Sequence, residues 1–308
     1  MTAIVKVLKP GLQTTVQDLG RYGFQRYGIS PSGAMDTYSL QMANLLTGNP
    51  LEEAGLEVTL IGPRFELLSD CSLAICGGNL SPEINGKSVP MWKSVKVREG
   101  DVLTFGKCVN GARAYIGFSG GIEVPIVLGS KSTFLNGGFG GYKGRALEAG
   151  DVLYGNPVTV RNRFLHPDLV PHFENDLTVK VVLGPHVEKF TPETIEVFLT
   201  DEYTITPQSN RMGYQLNGPK LEHRARADII SDPIPFGGIQ VPASGQPIIL
   251  MAERQTTGGY TRIATVISDD LPKLAQAKPG DRLKFQAVRD IYTVTGTARG
   301  HCPPQADS

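Results

Sequence analysis

Gly100-Asp101-Val102-Leu103-Thr104-Phe105 returns as Gly150-Asp151-Val152-Leu153-Tyr154 and again as Gly280-Asp281-Arg282-Leu283-Lys284-Phe285. In each copy Gly-Asp suits a turn, because Asp can accept from nearby backbone N–H groups. An alternating strand with an apolar residue two places after Asp follows. The bland reading is a generic turn-to-strand entry. Gly62-Pro63-Arg64-Phe65 and Gly218-Pro219-Lys220-Leu221 form a second echo, and together the repeats hint at two related halves. Outward from these copies lie further short alternating or β-branched runs, at Leu56–Leu60, Val95–Val97, Thr178–Leu183 and Ile248–Met251, each readable as a strand. The 36 glycines and 22 prolines follow no collagen period, so they punctuate many tight turns. Short strands with Gly/Pro turns point to a mainly β fold of barrels or sandwiches.

Helices are few. Residues 36–47 carry Tyr38, Met42 and Leu45 at helical spacing, with Asp36 as N-cap and Gly48-Asn49-Pro50 as the stop. Thr191-Pro192 has N-cap and first-turn chemistry. Ser268 is read as the cap of a third helix through Leu271 and Leu274. Residues 156–176 lose periodicity and are taken as a linker between domains at 1–155 and 177–290, with 291–308 as a polar tail.

Lys+Arg and Asp+Glu are 30 each, so the balance of charge gives no reason to expect nucleic acid or an anionic membrane as partner. No apolar run approaches the roughly 20 residues a bilayer requires, and the start lacks a signal-peptide core. A cytoplasmic location is expected. The four cysteines make no disulfide framework or zinc set, and none of the five histidines forms a helical metal pair. No metal-binding residue is assigned.

Three glycine-containing segments gather polar side chains without an obvious folding need. The first runs from Gln17-Asp18-Leu19-Gly20-Arg21-Tyr22-Gly23 to Ser32-Gly33-Ala34-Met35-Asp36. The second is Arg211-Met212-Gly213-Tyr214, and the third is Glu253-Arg254-Gln255-Thr256-Thr257-Gly258-Gly259-Tyr260. Glycine lets backbone approach a ligand, and arginine offers a planar fork to carboxylate or phosphate. The competing reading is structural: Gly for bulges, Arg and Asp for ion pairs between loops. Gly129-Ser130-Lys131-Ser132-Thr133 only superficially resembles the end of a phosphate loop, because the spacing to the first glycine is wrong.

These segments, with Gln215-Leu216, Gly218-Pro219 and Ile263-Ala264-Thr265-Val266-Ile267, resemble the motifs of the biotin-dependent carboxyltransferase-like family. That family includes allophanate hydrolase subunit 2, the 5-oxoprolinase C subunit and KipA. The resemblance implies two cyclophilin-like β-barrel domains with a few short helices. It also implies three activities. One is the C subunit of ATP-dependent 5-oxoprolinase, acting with the A and B subunits to open 5-oxoproline to L-glutamate and inactive alone, with the B subunit as direct partner. Another is a carboxyltransferase of the urea carboxylase type, using biotin. A third is a KipA-like regulator that binds a kinase inhibitor. The length of 308 residues and the lack of an Ala-Met-Lys-Met biotin-attachment motif favour the first. Under it, ATP with magnesium belongs to the complex. Asp18, Arg211, Glu253 and Arg254 would be catalytic, with Asp18 or Glu253 as base or magnesium ligand. Gln17, Arg21, Asp36, Tyr214, Gln255, Thr256, Thr257, Gly258, Gly259 and Tyr260 would bind substrate, with residues 256–259 as a donor-rich loop. Thr261 stands where relatives often carry proline.

Overall fold

In the computed structural model, residues 1–288 are described; the expected polar tail at 291–308 lies outside them, as do His301 and Cys302. The three Gly-Asp copies build one device three times. Gly100, Gly150 and Gly280 have φ of 84°, 92° and 93°, the left-handed region that glycine adopts without steric cost. Asp101, Asp151 and Asp281 each accept from the backbone N–H three residues earlier, at Arg98, Glu148 and Lys278 (2.8, 2.7 and 2.9 Å). Each turn then delivers its strand, Val102–Phe105, Val152–Gly155 or Arg282–Ala287, against an antiparallel neighbour. The other echo does not hold: Arg64–Leu67 is a strand, whereas Lys220-Leu221 lies in a loop.

The strands form three sheets. Six run in the order Val152–Gly155, Thr2–Lys9, Arg64–Leu67, Val102–Phe105, Pro82–Ile84, Lys87–Ser88. Five run in the order Gln13–Gln17, Gly55–Thr59, Asn110–Phe118, Cys71–Asn79, Ser94–Val97. These two sheets stay open and face each other across one core that includes Val5, Phe65, Leu73, Ile116 and Leu153. The barrel expected from the N-terminal half is therefore two open sheets, because no hydrogen-bonded strand pairing among the described residues joins their edges.

The third sheet closes. Asp176–Leu183, Arg282–Ala287, Tyr203–Ile205, Gly213–Asn217, Ile248–Leu250, Gly238–Val241 and Thr257–Val266 follow one another, and Thr257–Val266 pairs back onto Asp176–Leu183. The result is a seven-stranded barrel with Asp228–Pro233 added outside Thr257–Val266. Its interior includes Val179, Tyr203, Ile239, Ile263 and Phe285, with Phe198 and Phe285 stacked at 4.4 Å. Closure leaves no free barrel edge except around that added strand.

Helix α1 (Thr37–Thr47) has Asp36 as N-cap, accepting from Ser39 N–H at 2.9 Å, and Gly48 closes it at φ 78°. Helix α2 (Pro192–Thr200) starts with the Thr191 cap and Pro192. The third helix forms through Leu271 and Leu274 as expected, but its expected Ser268 cap fails. Ser268–Asp270 is a 3-10 turn, and α3 (Leu271–Ala275) begins without a side-chain cap. Asp270 instead accepts from Lys180 N–H, so its carboxylate is drawn away from the helix end. Residues 156–175 hold a 3-10 turn at Pro167–Leu169 and an isolated bridge from Phe164 to Lys93, with Leu165, Val170 and Phe173 packed on a small cluster around Trp92 and Tyr115. No helix among the described residues is long and apolar enough to cross a membrane.

Candidate functional site

The segment 30–36 crosses from the first core to the second. Met35 packs inside the barrel core, and Ser30 Oγ donates to the Ala252 carbonyl at 3.1 Å. This passage brings all three arginine-bearing segments to one junction, where the three arginines have different surroundings.

Arg211 is engaged on every nitrogen. Nε donates to Glu253 at 2.8 Å, Nη2 donates to the Gly33 carbonyl at 2.7 Å, and Nη1 donates to Glu57. Burial opposes its charge, but Glu57 and Glu253 outweigh that and raise its pKa. The geometry thus gives Arg211 a structural role, tying the halves, in place of the expected catalytic one. Glu57 is the residue that sequence reasoning missed. It sits between Leu56 and Val58 in a strand buried on both faces. Tyr115 Oη donates to its Oε2 at 2.7 Å and Met35 N–H at 2.8 Å. Burial alone would raise the Glu57 pKa; Arg211, Arg113 and these two hydrogen bonds overcome it and hold the carboxyl below its ordinary range.

A carboxyl depressed on folding stabilises the native state above its ordinary range, about pH 4, and loses that contribution as pH falls through it. Glu57→Gln should therefore be less stable than wild type at pH 7, with the gap narrowing towards pH 3 in urea titrations. A constant gap would mean that the charge of Glu57 does not matter to folding.

Arg21 is 1% exposed and has no carboxylate partner within ion-pair distance among the described residues. Nη2 donates to the Ser132 carbonyl, and the guanidinium lies 5.1 Å from the Phe139 ring. Its Nη1 is buried without a hydrogen-bond partner among the described residues, as are Gln17 Oε1 at the end of the strand Gln13–Gln17 and Ser32 Oγ. Burial lowers the Arg21 pKa, with Asp18 and Glu253 partly offsetting it. Gly140 makes room for this side chain: a Cβ there would stand 2.6 Å from Arg21 Nη2 and 2.2 Å from the Ser132 carbonyl. Arg254 is the second unpaired cation. It is 8% exposed, donates from Nε to the Ile234 carbonyl at 2.9 Å, and sits 5.5 Å from Phe236. Burial pulls its pKa down to about 10, opposed only by Tyr22. Buried guanidinium groups answered only by carbonyls and rings are equipped to take an anion.

Of the two carboxylates expected to act as base or magnesium ligand, Asp18 does not fit. It accepts from Ser130 Oγ and Gly20 N–H at 2.7 Å, from Lys131 N–H at 2.6 Å and from Ser132 Oγ, so it is the anchor of the Ser130–Ser132 turn. That run of hydroxyls, set aside as a failed phosphate loop, was the available signal. Glu253 keeps one oxygen: Oε1 holds Arg211, while Oε2 accepts no hydrogen bond among the described residues. No group of three His, Cys, Asp or Glu suited to a metal occurs among the described residues.

Two expected substrate ligands lie in the tie between the halves. Asp36 caps α1 and accepts from Gln276 Nε2 at 2.7 Å; burial raises its pKa against the bonds from Ser39 and Gln276. Tyr214 Oη accepts from Arg113 Nη1 at 2.6 Å and is itself 2% exposed. The expected donor-rich loop is also corrected. Thr257, Gly258, Gly259 and Tyr260 belong to the strand Thr257–Val266, and Gly258 is closed in by Ile234 and Gln240. Gln255 and Thr256 remain outside the strand, with Gln255 exposed beside Arg254. Thr261 uses what proline lacks: its N–H donates to the Ala227 carbonyl at 3.0 Å, and its hydroxyl meets His223 Nε2 at 2.8 Å.

At the junction, Arg21 and Arg254 are buried cations without a carboxylate partner among the described residues, and Glu253 Oε2 is a carboxylate oxygen without a hydrogen bond there. Among known proteins, the chain is 36% identical over 287 residues to the 5-oxoprolinase C subunit of Haemophilus influenzae, covering 92% of this chain and 91% of that protein. It is 35% identical over 301 residues to urea amidolyase of Saccharomyces cerevisiae, covering 91% of this chain but only 16% of that protein. The solved urea carboxylase of Kluyveromyces lactis superposes with a TM-score of 0.88 at 34% identity, over 94% of this chain and 28% of that one. The family model described as carboxyltransferase domain, subdomain A and B, matches residues 27–287, and the chain belongs to that family.

Proposed function

We propose that this chain is the C subunit of an ATP-dependent 5-oxoprolinase, working with the A and B subunits to convert 5-oxoproline to L-glutamate. The observation that carries the reading is the pair of buried guanidinium groups, Arg21 and Arg254, with no carboxylate partner among the described residues. 5-Oxoproline brings the carboxylate that such groups lack. The end-to-end match to a 5-oxoprolinase C subunit, against a match to 16% of a urea amidolyase, favours the lactam over urea. A lactam is a resonance-stabilised amide. Transfer of the ATP γ-phosphoryl group to its oxygen makes the carbonyl carbon electrophilic. Water adds there, the C–N bond breaks with the ring nitrogen leaving as the protonated amine, and a second water releases phosphate from the resulting acyl phosphate to give glutamate. In this reading Arg254 holds the substrate carboxylate, Arg21 steadies charge on the lactam oxygen, and Glu253 Oε2 receives the proton of the water. ATP and magnesium are assigned to the A and B subunits, since Asp18 is engaged within its own loop.

The second reading, a carboxyltransferase acting on carboxybiotin, draws support from the 35% identity to urea amidolyase. Mixing the purified A and B subunits with 5-oxoproline and ATP, with and without this chain, separates the two. Glutamate formation that requires the chain supports the first. Protection of the chain from proteolysis by biotin, with no glutamate formed, supports the second. Tight binding to the B subunit without any change in turnover would make the chain a KipA-like regulator and defeat both.

A further inference from the structure

We propose that the cleft between the five-stranded sheet and the barrel, on the Arg113–Tyr214 side of the junction, binds a short-chain monocarboxylate. The cleft has a volume of about 300 Å³, at the small end for ligand pockets. One wall comes from the sheet and its approach, with Leu12, Gln13, Thr59 and Arg113; the other comes from the barrel, with Ile205 at a strand end and Pro207, Ser209 and Lys278 in loops. Arg113 and Lys278 are the cationic lining side chains and none is a carboxylate; Lys278 Nζ is already held by Asp281 at 2.9 Å, which leaves Arg113 as the cation on offer. An anion entering it meets no like charge on its walls.

Arg113 is the specific group. It is 4% exposed, and its Nη1 donates to Tyr214 Oη and to the Ala275 carbonyl, both at 2.6 Å. Its Nε has no hydrogen-bond partner and approaches Glu57 Oε1 only to 3.7 Å, because Arg211 and Tyr115 already hold that carboxylate. Nη2 makes no hydrogen bond among the described residues. Thr59 Oγ1 in the same wall is likewise buried and unpartnered. A buried cation with unmet donors gains when an oxyanion arrives, since Arg113 Nε and Thr59 Oγ1 have already lost their water without finding a partner. Beside the polar Gln13, Ser209 and Asn210, the lining includes Leu12, Leu60, Ile205, Pro207 and Pro279, an apolar portion that suits a carboxylate with a short hydrocarbon body over free phosphate.

Binding here is independent of the proposed function, because it is read on the full chain alone, without ATP or other subunits. Calorimetric titration would use butyrate as probe, with butyramide as the neutral isostere and inorganic phosphate as the anion without a hydrocarbon body. Butyrate should bind saturably and at least tenfold more tightly than either. Gln13 is half-buried, and its side chain makes no hydrogen bond among the described residues. Gln13→Glu, which sets a carboxylate in the cleft, should weaken butyrate at least tenfold with the fold intact by circular dichroism. Leu12→Trp, at a position 58% exposed, should do the same by filling it. Absence of saturable binding, equal binding of butyrate and butyramide, equal binding of phosphate, or indifference to both variants would each overturn the proposal.

Discussion

Arg211→Leu should lose about 3–5 kcal/mol of folding stability, the range for removing one partner of a buried ion pair. The side chain is 3% exposed and joins three distant pieces of chain: Glu57 in the five-stranded sheet, Glu253 beside the barrel, and the Gly33 carbonyl between the cores. Leucine would fill part of the volume, but of two carboxylates, each 1% exposed, it would leave Glu253 without its ion-pair partner and Glu57 with only Arg113 at 3.7 Å. The cost lies in those stranded charges and less in the lost bonds. Two controls follow. Arg211→Lys should recover little, because one ammonium cannot serve three acceptors set around a planar fork. Adding Glu57→Gln and Glu253→Gln to Arg211→Leu should recover stability relative to the single variant, since the uncompensated charges are then gone. Urea titration of the four proteins reads the result. A loss below about 1 kcal/mol for Arg211→Leu would mean that water reaches the two carboxylates and that the tie is weak.

This tie also marks where sequence stops being readable. Local chemistry was legible: the Asp36 cap and Gly48 stop of α1, the Thr191-Pro192 start of α2, and the three Gly-Asp turns all depend on residues within a few positions of one another. Ser268 failed because Asp270 has a distant partner at Lys180 that a local reading does not see. Barrel closure depends on Asp176–Leu183 meeting Thr257–Val266, and nothing in either strand announces the other. The same holds at the junction. The arginine-bearing segments were visible as a set, and they do converge. Which arginine is free was hidden, because Arg211 is claimed by Glu57, 154 residues away. Glu57 alternates with Leu56 and Val58, the ordinary pattern of a strand with one polar face. Its strand is covered on both sides, so the alternate face is an interior one.

Arg254→Ala should behave in the opposite way from Arg211→Leu: the fold stays and the activity goes. Arg254 has no carboxylate to strand, so its removal leaves only the Ile234 carbonyl without its donor; the Met251 carbonyl keeps the backbone N–H of residue 254 at 3.1 Å. Burial already works against its charge, pulling the pKa down to about 10. Deleting a cation that folding has to desolvate offsets much of the lost packing against Phe236, and stability should stay within about 1 kcal/mol of wild type. That depression also sets a pH signature. The native state binds this proton less tightly than the unfolded chain, so wild-type stability relative to Arg254→Ala should rise as pH passes about 10. In the reconstituted enzyme, kcat/KM for 5-oxoproline should fall about 100–1,000-fold, the range for losing one preorganised charge-stabilising group. The chemistry offers a sharper control. 2-Pyrrolidinone is the same lactam without the carboxylate. If Arg254 grips that carboxylate, the wild-type preference for 5-oxoproline over 2-pyrrolidinone should collapse in the variant while the slow turnover of 2-pyrrolidinone is unchanged. A variant that stays folded, keeps the preference and turns over within tenfold of wild type would remove Arg254 from the substrate site and leave Arg21 as its sole free cation.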